Sequence, residues 1–180
     1  GASSGIGRAT AELFGQCGAS VAITYNNNSS GADEAVAAIE VSGSKAIAIK
    51  ADVTENAAIV QMVRDVESSL GPVDILVNNA GSLIERLKTL EMTEQRWNEV
   101  MNLNATSSFF AAQAVIPKML EIGSGVIVNV TSIAGRNGGA LGSIHYSSAK
   151  AATLTMTKGL AKEFAQQGIR INAVSPGVID

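Results

Sequence analysis

The chain has 180 residues, 46% of them hydrophobic and 16% charged, and 13 Lys and Arg against 16 Asp and Glu give a net charge of −3. Such a composition excludes a disordered chain and suits one globular domain with a sizeable core. The lack of any basic run argues against a nucleic-acid partner, and no window of about 18 uninterrupted apolar residues offers a membrane span.

The first stretch, Gly1-Ala2-Ser3-Ser4-Gly5-Ile6-Gly7, opens into a helical pattern through Ile6, Ala9, Thr10, Leu13 and Phe14, with Gly18 as its stop. Glycines at these places let the backbone turn tightly and approach a diphosphate. The helix N-terminus then offers N–H groups and the positive dipole end to that anion. The spacing is G-x-x-x-G-x-G rather than G-x-G-x-x-G, and no strand stands before it, so the loop alone reads equally well as a plain turn. Cys17, the only cysteine, rules out an internal disulfide and fits a reducing compartment such as the cytoplasm. Its place in the apolar pattern predicts an inert core residue. There is no signal-peptide pattern, and the chain does not begin with Met. Residues 20–25 read as a short strand, followed by the polar turn Asn26-Asn27-Asn28-Ser29-Ser30. An acidic residue at such a strand end would accept a bond from a ribose 2′-hydroxyl and repel a 2′-phosphate. None occurs before Asp33, so the turn favours NADP(H) over NAD(H), weakly, since no Arg or Lys stands ready for the phosphate.

Residues 31–42 form an amphipathic helix stopped by Gly43, and 45–49 a strand that leads to Ala51-Asp52-Val53. Thr54 is expected to cap the next helix, which runs to about Leu70 before Gly71-Pro72 breaks it. Residues 73–77 are a buried strand running into Asn78-Asn79-Ala80-Gly81. A loop over 82–92 precedes Thr93, the cap of a long helix through Trp97, Val100, Asn104 and Phe109 toward Met119, with a kink or early end at Pro117. Asn104, among apolar residues, either satisfies a core hydrogen bond or holds a water. A strand at 126–130, a helix to about Gln167 and a strand at 169–174 ending in Ser175-Pro176-Gly177 complete the chain. Strands alternating with helices of this length predict a parallel, doubly wound α/β sheet with right-handed crossovers.

The stretch from Thr131 to Lys150 carries the chemistry. Tyr146 and Lys150 stand four residues apart, so a helix puts a phenol and an ammonium one turn apart on one face. A positive neighbour stabilises a phenolate, which makes the pair a candidate general acid and base. Ser132 follows the apolar strand, and strand ends are where open α/β sheets keep their ligands. Its hydroxyl could polarise a substrate oxygen. By itself the Tyr/Lys spacing is common on helices. His145, the only histidine, has no ligand partners at useful spacing, so no metal site is expected and the residue reads as a surface or packing residue.

Taken together, these motifs resemble the short-chain dehydrogenase/reductase family, and within it the 3-oxoacyl-acyl-carrier-protein reductases and the generic ketone or sugar reductases beside them. The matches are Gly1/Gly5/Gly7, Asp52, Asn78-Asn79-Ala80-Gly81, Asn104 seven residues after Trp97, Ser132, Tyr146, Lys150 and Pro176-Gly177, in order over all 180 residues. The resemblance implies a Rossmann-type, three-layered fold and a single partial dinucleotide-binding domain over residues 1–180, lacking the family's first and last strands. It implies that Tyr146 protonates a carbonyl oxygen as hydride arrives, that Lys150 depresses the phenol's pKa and bonds the nicotinamide ribose, that Ser132 orients the carbonyl, and that Asn104 holds a water relaying protons to Lys150. The cofactor would also meet Gly1, Ser3, Ser4, Gly5, Ile6, Gly7, Tyr25 and Asn26. Asp52 and Val53 would contact the adenine, Asn79, Ala80 and Gly81 the adenosine side, and Pro176, Gly177 and Ile179 the nicotinamide side.

The resemblance also implies a family chain of about 250 residues. On that reading residues 1–180 alone are expected to be poorly stable and inactive, because strands deprived of a central neighbour expose apolar faces and unpaired backbone. Sharp cooperative melting with tight NADPH binding would contradict it. The expected activity is NAD(P)H-dependent reduction of a small-molecule carbonyl to a secondary alcohol, or the reverse. Reduction of a 3-oxoacyl group on an acyl carrier protein is the close alternative. An acidic carrier calls for basic docking residues, and only Lys118, Arg136 and Arg170 offer themselves. A non-catalytic cofactor sensor is the alternative of another class. The helices 93–119 and 144–167 resemble those that pair subunits in the family, implying a homodimer or homotetramer, with Ala111, Ala112, Ala151 and Ala152 allowing close approach.

Overall fold

In a computed structural model, residues 1–179 are described, and they fall into two compact units that divide after Val73. The first unit runs α1 (Gly5–Gln16), β1 (Val21–Tyr25), α2 (Ser29–Val41), β2 (Ala46–Lys50) and α3 (Asn56–Leu70). Its two strands are parallel, with Val21 opposite Ala46 and Tyr25 opposite Lys50. Ala11, Ile23, Ala32, Ala35 and Ile39 form the core beneath them. Gly15 makes the packing of α1 on α2 possible, because a Cβ there would stand 2.6 Å from Ile39 Cγ2.

The second unit runs β3 (Ile75–Asn78), a 3₁₀ turn (Thr89–Glu91), α4 (Glu94–Met101), a π turn (Asn102–Thr106), α5 (Ser107–Ile122), β4 (Gly125–Val130), α6 (Ala134–Asn137), α7 (Ile144–Phe164), a 3₁₀ turn (Ala165–Gln167) and β5 (Ile169–Val174). Its sheet has the order β3-β4-β5, all parallel, so β4 is central. The β-branched run of β4 suits burial on both faces, and Ile127 and Asn129 are fully buried. Parallel strands alternating with helices establish the α/β, Rossmann-type class. Glycines 18, 43, 71 and 168 stop their elements as the sequence suggests, each with φ between 83° and 92°.

Several local readings are corrected. Thr54 does not cap α3. The N-cap is Glu55, without a side-chain bond, and Thr54 instead gives its N–H and hydroxyl to Asp52 at 2.9 and 2.7 Å. The long helix through Asn104 is broken by the π turn, while Pro117 ends nothing, since α5 continues to Ile122 with that proline on its exposed side. Cys17 is exposed at the C-cap of α1 rather than in the core. Ala111 and Ala112 pack within their own unit and are not offered to a partner. Among the described residues no helix is long and apolar enough to cross a membrane, and no group of three or more His, Cys, Asp or Glu could hold a metal ion.

Candidate active site

The second unit gathers four of the expected residues around the C-terminal end of β4. Lys150 lies on α7 and is 4% exposed. Its Nζ donates to the Val130 carbonyl at 2.9 Å and stands 5.7 Å from the centre of the Tyr146 ring. The one-turn spacing therefore does put both groups on one face. Burial lowers the Lys150 pKa from 10.5 to about 8, as low dielectric disfavours the ammonium. Tyr146 is partly exposed.

Ser132 follows β4 and is partly exposed. Its Oγ accepts from Ala134 N at 3.1 Å, which occupies a lone pair and leaves the hydroxyl hydrogen free to point elsewhere. The turn after it lies directly on α7, because a Cβ at Gly135 would meet Ala151 N and the Lys150 carbonyl carbon at 2.8 Å. Ile133 N donates to the Pro176 carbonyl at 3.0 Å, and Thr131 Oγ1 to that of Val174 at 2.9 Å. These bonds bring the Pro176-Gly177 segment beside the serine.

Asn104 occupies the π turn and is fully buried. Its Nδ2 donates to the carbonyls of Ser82 at 2.8 Å and Val100 at 2.9 Å. Its Oδ1 is buried with no hydrogen-bond partner. An acceptor in that state ordinarily costs about 1–3 kcal/mol. Gly81 explains how this edge stays open: a Cβ there would lie 2.5 Å from Asn104 Oδ1 and 2.9 Å from Lys150 Nζ. The loop that follows is strained at Ile84, a β-branched residue at φ 64°, whose N–H donates to Ser82 Oγ at 2.9 Å. His145 is fully buried, and neither ring nitrogen finds a partner. It is a packing residue, not a surface one.

In the first unit, α1 begins after Ser4, whose side chain makes no cap, and its first turn carries no acidic residue. Its N–H groups are thus suited to an anion. Gly5 takes φ 55°, which only glycine adopts freely. The loop is held by Ala2 N to the Thr24 carbonyl at 3.2 Å and by Asn28 Nδ2 to the Ser3 carbonyl at 3.3 Å. Asn28 also caps α2 by accepting from Gly31 N at 3.0 Å. Bonds from Thr54, with a smaller contribution from the Asn26 side chain, hold the Asp52 carboxyl below its ordinary pKa. Arg8 pairs with Glu12 at 2.7 Å and Glu34 at 2.8 Å.

The residues that sequence reasoning missed are those fixing the others: Ser82 and Val130 through their carbonyls, and Ser108 and Thr153 through hydroxyls on Asn104. Thr153 could have been found, since it shares the 3/4 spacing of Tyr146 and Lys150. The backbone acceptors leave no mark in a sequence.

The whole chain, residues 1–180, matches the model of the family described as short chain dehydrogenase. The protein belongs to that family, whose chemistry is oxidation and reduction between carbonyl and alcohol with a nicotinamide cofactor. Within it, the chain resembles the 3-oxoacyl-[acyl-carrier-protein] reductases. It is 41% identical to the one from Synechocystis over 179 residues, covering 99% of this chain and 72% of the relative. It is 39% identical to the uncharacterized oxidoreductase YgfF of Escherichia coli, covering 99% of this chain and 74% of that one. Among solved structures, a putative short-chain alcohol dehydrogenase from Sinorhizobium meliloti superposes with a TM-score of 0.94 at 35% identity, over 99% of this chain and 70% of that one. An NADH-dependent reductase responsible for alginate metabolism gives 0.95 at 28% identity, over 100% and 75%.

Proposed function

We propose that Tyr146, Lys150, Ser132 and Asn104 form the catalytic group of a carbonyl reductase acting on a small molecule. Ser132 donates its free hydroxyl hydrogen to the substrate oxygen and orients it. Tyr146 then passes its phenolic proton to that oxygen, which completes a secondary alcohol. Lys150, still mostly protonated at neutral pH, stabilises the phenolate left behind. The proton returns through Lys150 and a water held by Asn104 Oδ1. When bound, the reduced nicotinamide supplies the hydride. The observation that carries this reading is the buried ammonium, anchored on Val130 and 5.7 Å from the Tyr146 ring centre.

The residues present fit the cofactor. The uncapped start of α1, with Gly1, Ser3, Ser4, Gly5, Ile6 and Gly7, would take the diphosphate. Tyr25, Asn26, Asp52 and Val53 would meet the adenosine. In the second unit, Asn79, Ala80, Gly81, Pro176, Gly177 and Ile179 would line the cofactor beside Tyr146 and Lys150. NADP(H) is favoured over NAD(H) because no acidic residue closes the Asn26–Ser30 turn. The engagement of Arg8 by two carboxylates and the NADH dependence named for one structural neighbour keep NAD(H) as the alternative. Residues 1–180 act as one partial nucleotide-binding domain of a cytoplasmic enzyme in this reading.

The relatives' names favour one further substrate, a 3-oxoacyl group on acyl carrier protein. Lys118 is paired with Glu121 at 2.6 Å, which leaves Arg136 and Arg170 as the more available cations. Association as a homodimer or homotetramer would use the exposed parts of α5 and α7, where Phe109, Leu120 and Ala152 face outward.

The test is Tyr146→Phe in the intact protein, assayed on 3-oxoacyl thioesters, simple ketones and sugar carbonyls with NADPH and with NADH. Loss of turnover with cofactor binding retained supports the proposal. Unimpaired turnover refutes the role of Tyr146. If the unaltered protein binds cofactor but reduces nothing, a sensing role takes its place.

A further inference from the structure

The proposed relay needs two elements in one register, α7 with Tyr146 and Lys150 and the π turn with Asn104. A π turn breaks the regular i→i−4 ladder, so its backbone must be fixed from outside. The Asn104 carbonyl receives two hydroxyls, Ser108 Oγ at 3.3 Å and Thr153 Oγ1 at 3.1 Å. Ser108 belongs to the helix that continues the turn, so its bond says nothing about α7. Thr153 belongs to α7, three residues after Lys150 and on the same face. It is 1% exposed, so water cannot replace the bond.

We propose that Thr153 is a positioning residue. Its hydroxyl fixes the Asn104 turn against α7 and thereby sets where Asn104 Oδ1 stands relative to Lys150 Nζ. The inference rests on the relay reading above. The hydroxyl also faces the Ala149 carbonyl at 3.0 Å, so its single hydrogen is shared between its own helix and the turn. The neighbouring positions show that this face is built for cross-links. One turn on, Thr157 Oγ1 accepts from Asn129 Nδ2 of β4 at 2.8 Å and donates to the Thr153 carbonyl at 2.7 Å. One turn back, Lys150 holds the Val130 carbonyl. Three successive buried polar side chains of α7 thus tie it to β4, to the Asn104 turn and to β4 again. A threonine whose only bond went to its own helix would be as well served by an exposed position.

The experiment measures kcat and KM in the intact enzyme, with whichever carbonyl of the panel is turned over fastest. Thr153→Val should lower kcat about tenfold and leave the cofactor KM within about twofold, and in an Asn104→Ala background the same change should cost less than about twofold, because residues acting as a unit are not additive. Thr153→Ser should restore kcat to within about twofold, as the hydroxyl returns. Should the valine variant melt below the assay temperature, the comparison of Thr153→Ser with Thr153→Ala isolates the hydroxyl on a common loss of the methyl. Unchanged kcat in the hydroxyl-free variant, or an equal loss with and without Asn104, overturns the inference while the relay stands. If Asn104→Ala alone leaves kcat unchanged, the relay reading fails and the role of Thr153 falls with it.

Discussion

Replacing Lys150 by methionine should remove a defined pH slope from the protein's stability. In the folded chain burial lowers this amine from 10.5 to about 8, whereas an unfolded lysine keeps the ordinary value. Between those two pH values the unfolded state binds more protons than the folded one, so stability rises with pH across that window. Below about 8 the full cost of burying the charge is present, and above 10.5 it is gone. At about 1.4 kcal/mol per pKa unit the gap amounts to ~3 kcal/mol. Methionine fills similar space and carries no proton. It also leaves the Val130 carbonyl without its donor, a cost of about 1–3 kcal/mol that does not vary with pH. The slope rather than the offset is therefore the readout. Urea unfolding of both proteins, from neutral pH to about pH 10.5, should show the unaltered protein gaining ~3 kcal/mol on the variant. Stability curves that stay parallel to within ~1 kcal/mol would show that Lys150 is not buried as a charge and would refute the electrostatic reasoning.

Two further outcomes follow from the same unit. Gly81→Ala forces a Cβ to within 2.5 Å of Asn104 Oδ1 and 2.9 Å of Lys150 Nζ; the first side chain is fixed through its Nδ2 on Ser82 and Val100 and the second through its bond to Val130, so one must yield. Kinetic assay should show kcat reduced more than about tenfold, with a stability loss of about 1–3 kcal/mol by denaturant titration, and an unimpaired variant would show that the two atoms are free to move. His145→Leu removes a fully buried ring with two unpartnered nitrogens. Thermal melting should rise by a few degrees, about 1 kcal/mol, with turnover retained, and a drop in either would mean that His145 has a partner of its own.

The alternation of strand and helix was legible because the central strand β4 is a β-branched apolar run interrupted only by Asn129, β5 alternates buried apolar with exposed residues, and the stops are glycines with positive φ. The Tyr146/Lys150 pair was legible because helical spacing fixes which side chains share a face. The break at Asn104 was not. Residues 93–119 read as one helical pattern, and nothing in Asn-Leu-Asn-Ala-Thr requires a π turn, whose support comes from Ser108 next to it and Thr153 far along the chain. Thr54 misled for a related reason. A threonine before a helix is a good cap in isolation, but an aspartate two residues earlier offers its hydroxyl and N–H a charged acceptor, which is the stronger bond. Cys17 misled because the apolar stripe it extends is not the buried one: α1 buries Gly7, Ala11 and Gly15, while Ile6 and Leu13 are exposed.

The departures from ordinary packing in the second unit are not scattered. A π turn costs helical hydrogen bonds, Ile84 takes a backbone angle disfavoured for a β-branched residue, Asn104 Oδ1 is buried without a donor, and an amine is buried with no carboxylate bonded to it. Each is unfavourable alone, and strain of this kind persists only where its surroundings over-determine it. Ser82 links three of them: its hydroxyl accepts from Ile84 N, its carbonyl accepts from Asn104 Nδ2, and it follows the glycine whose missing side chain leaves room for Asn104 Oδ1 and Lys150 Nζ. A chain selected for stability alone would have filled Gly81, straightened the helix and paired or removed the amine. That all of these alternatives are declined around one tyrosine is the physical argument for placing the reaction there.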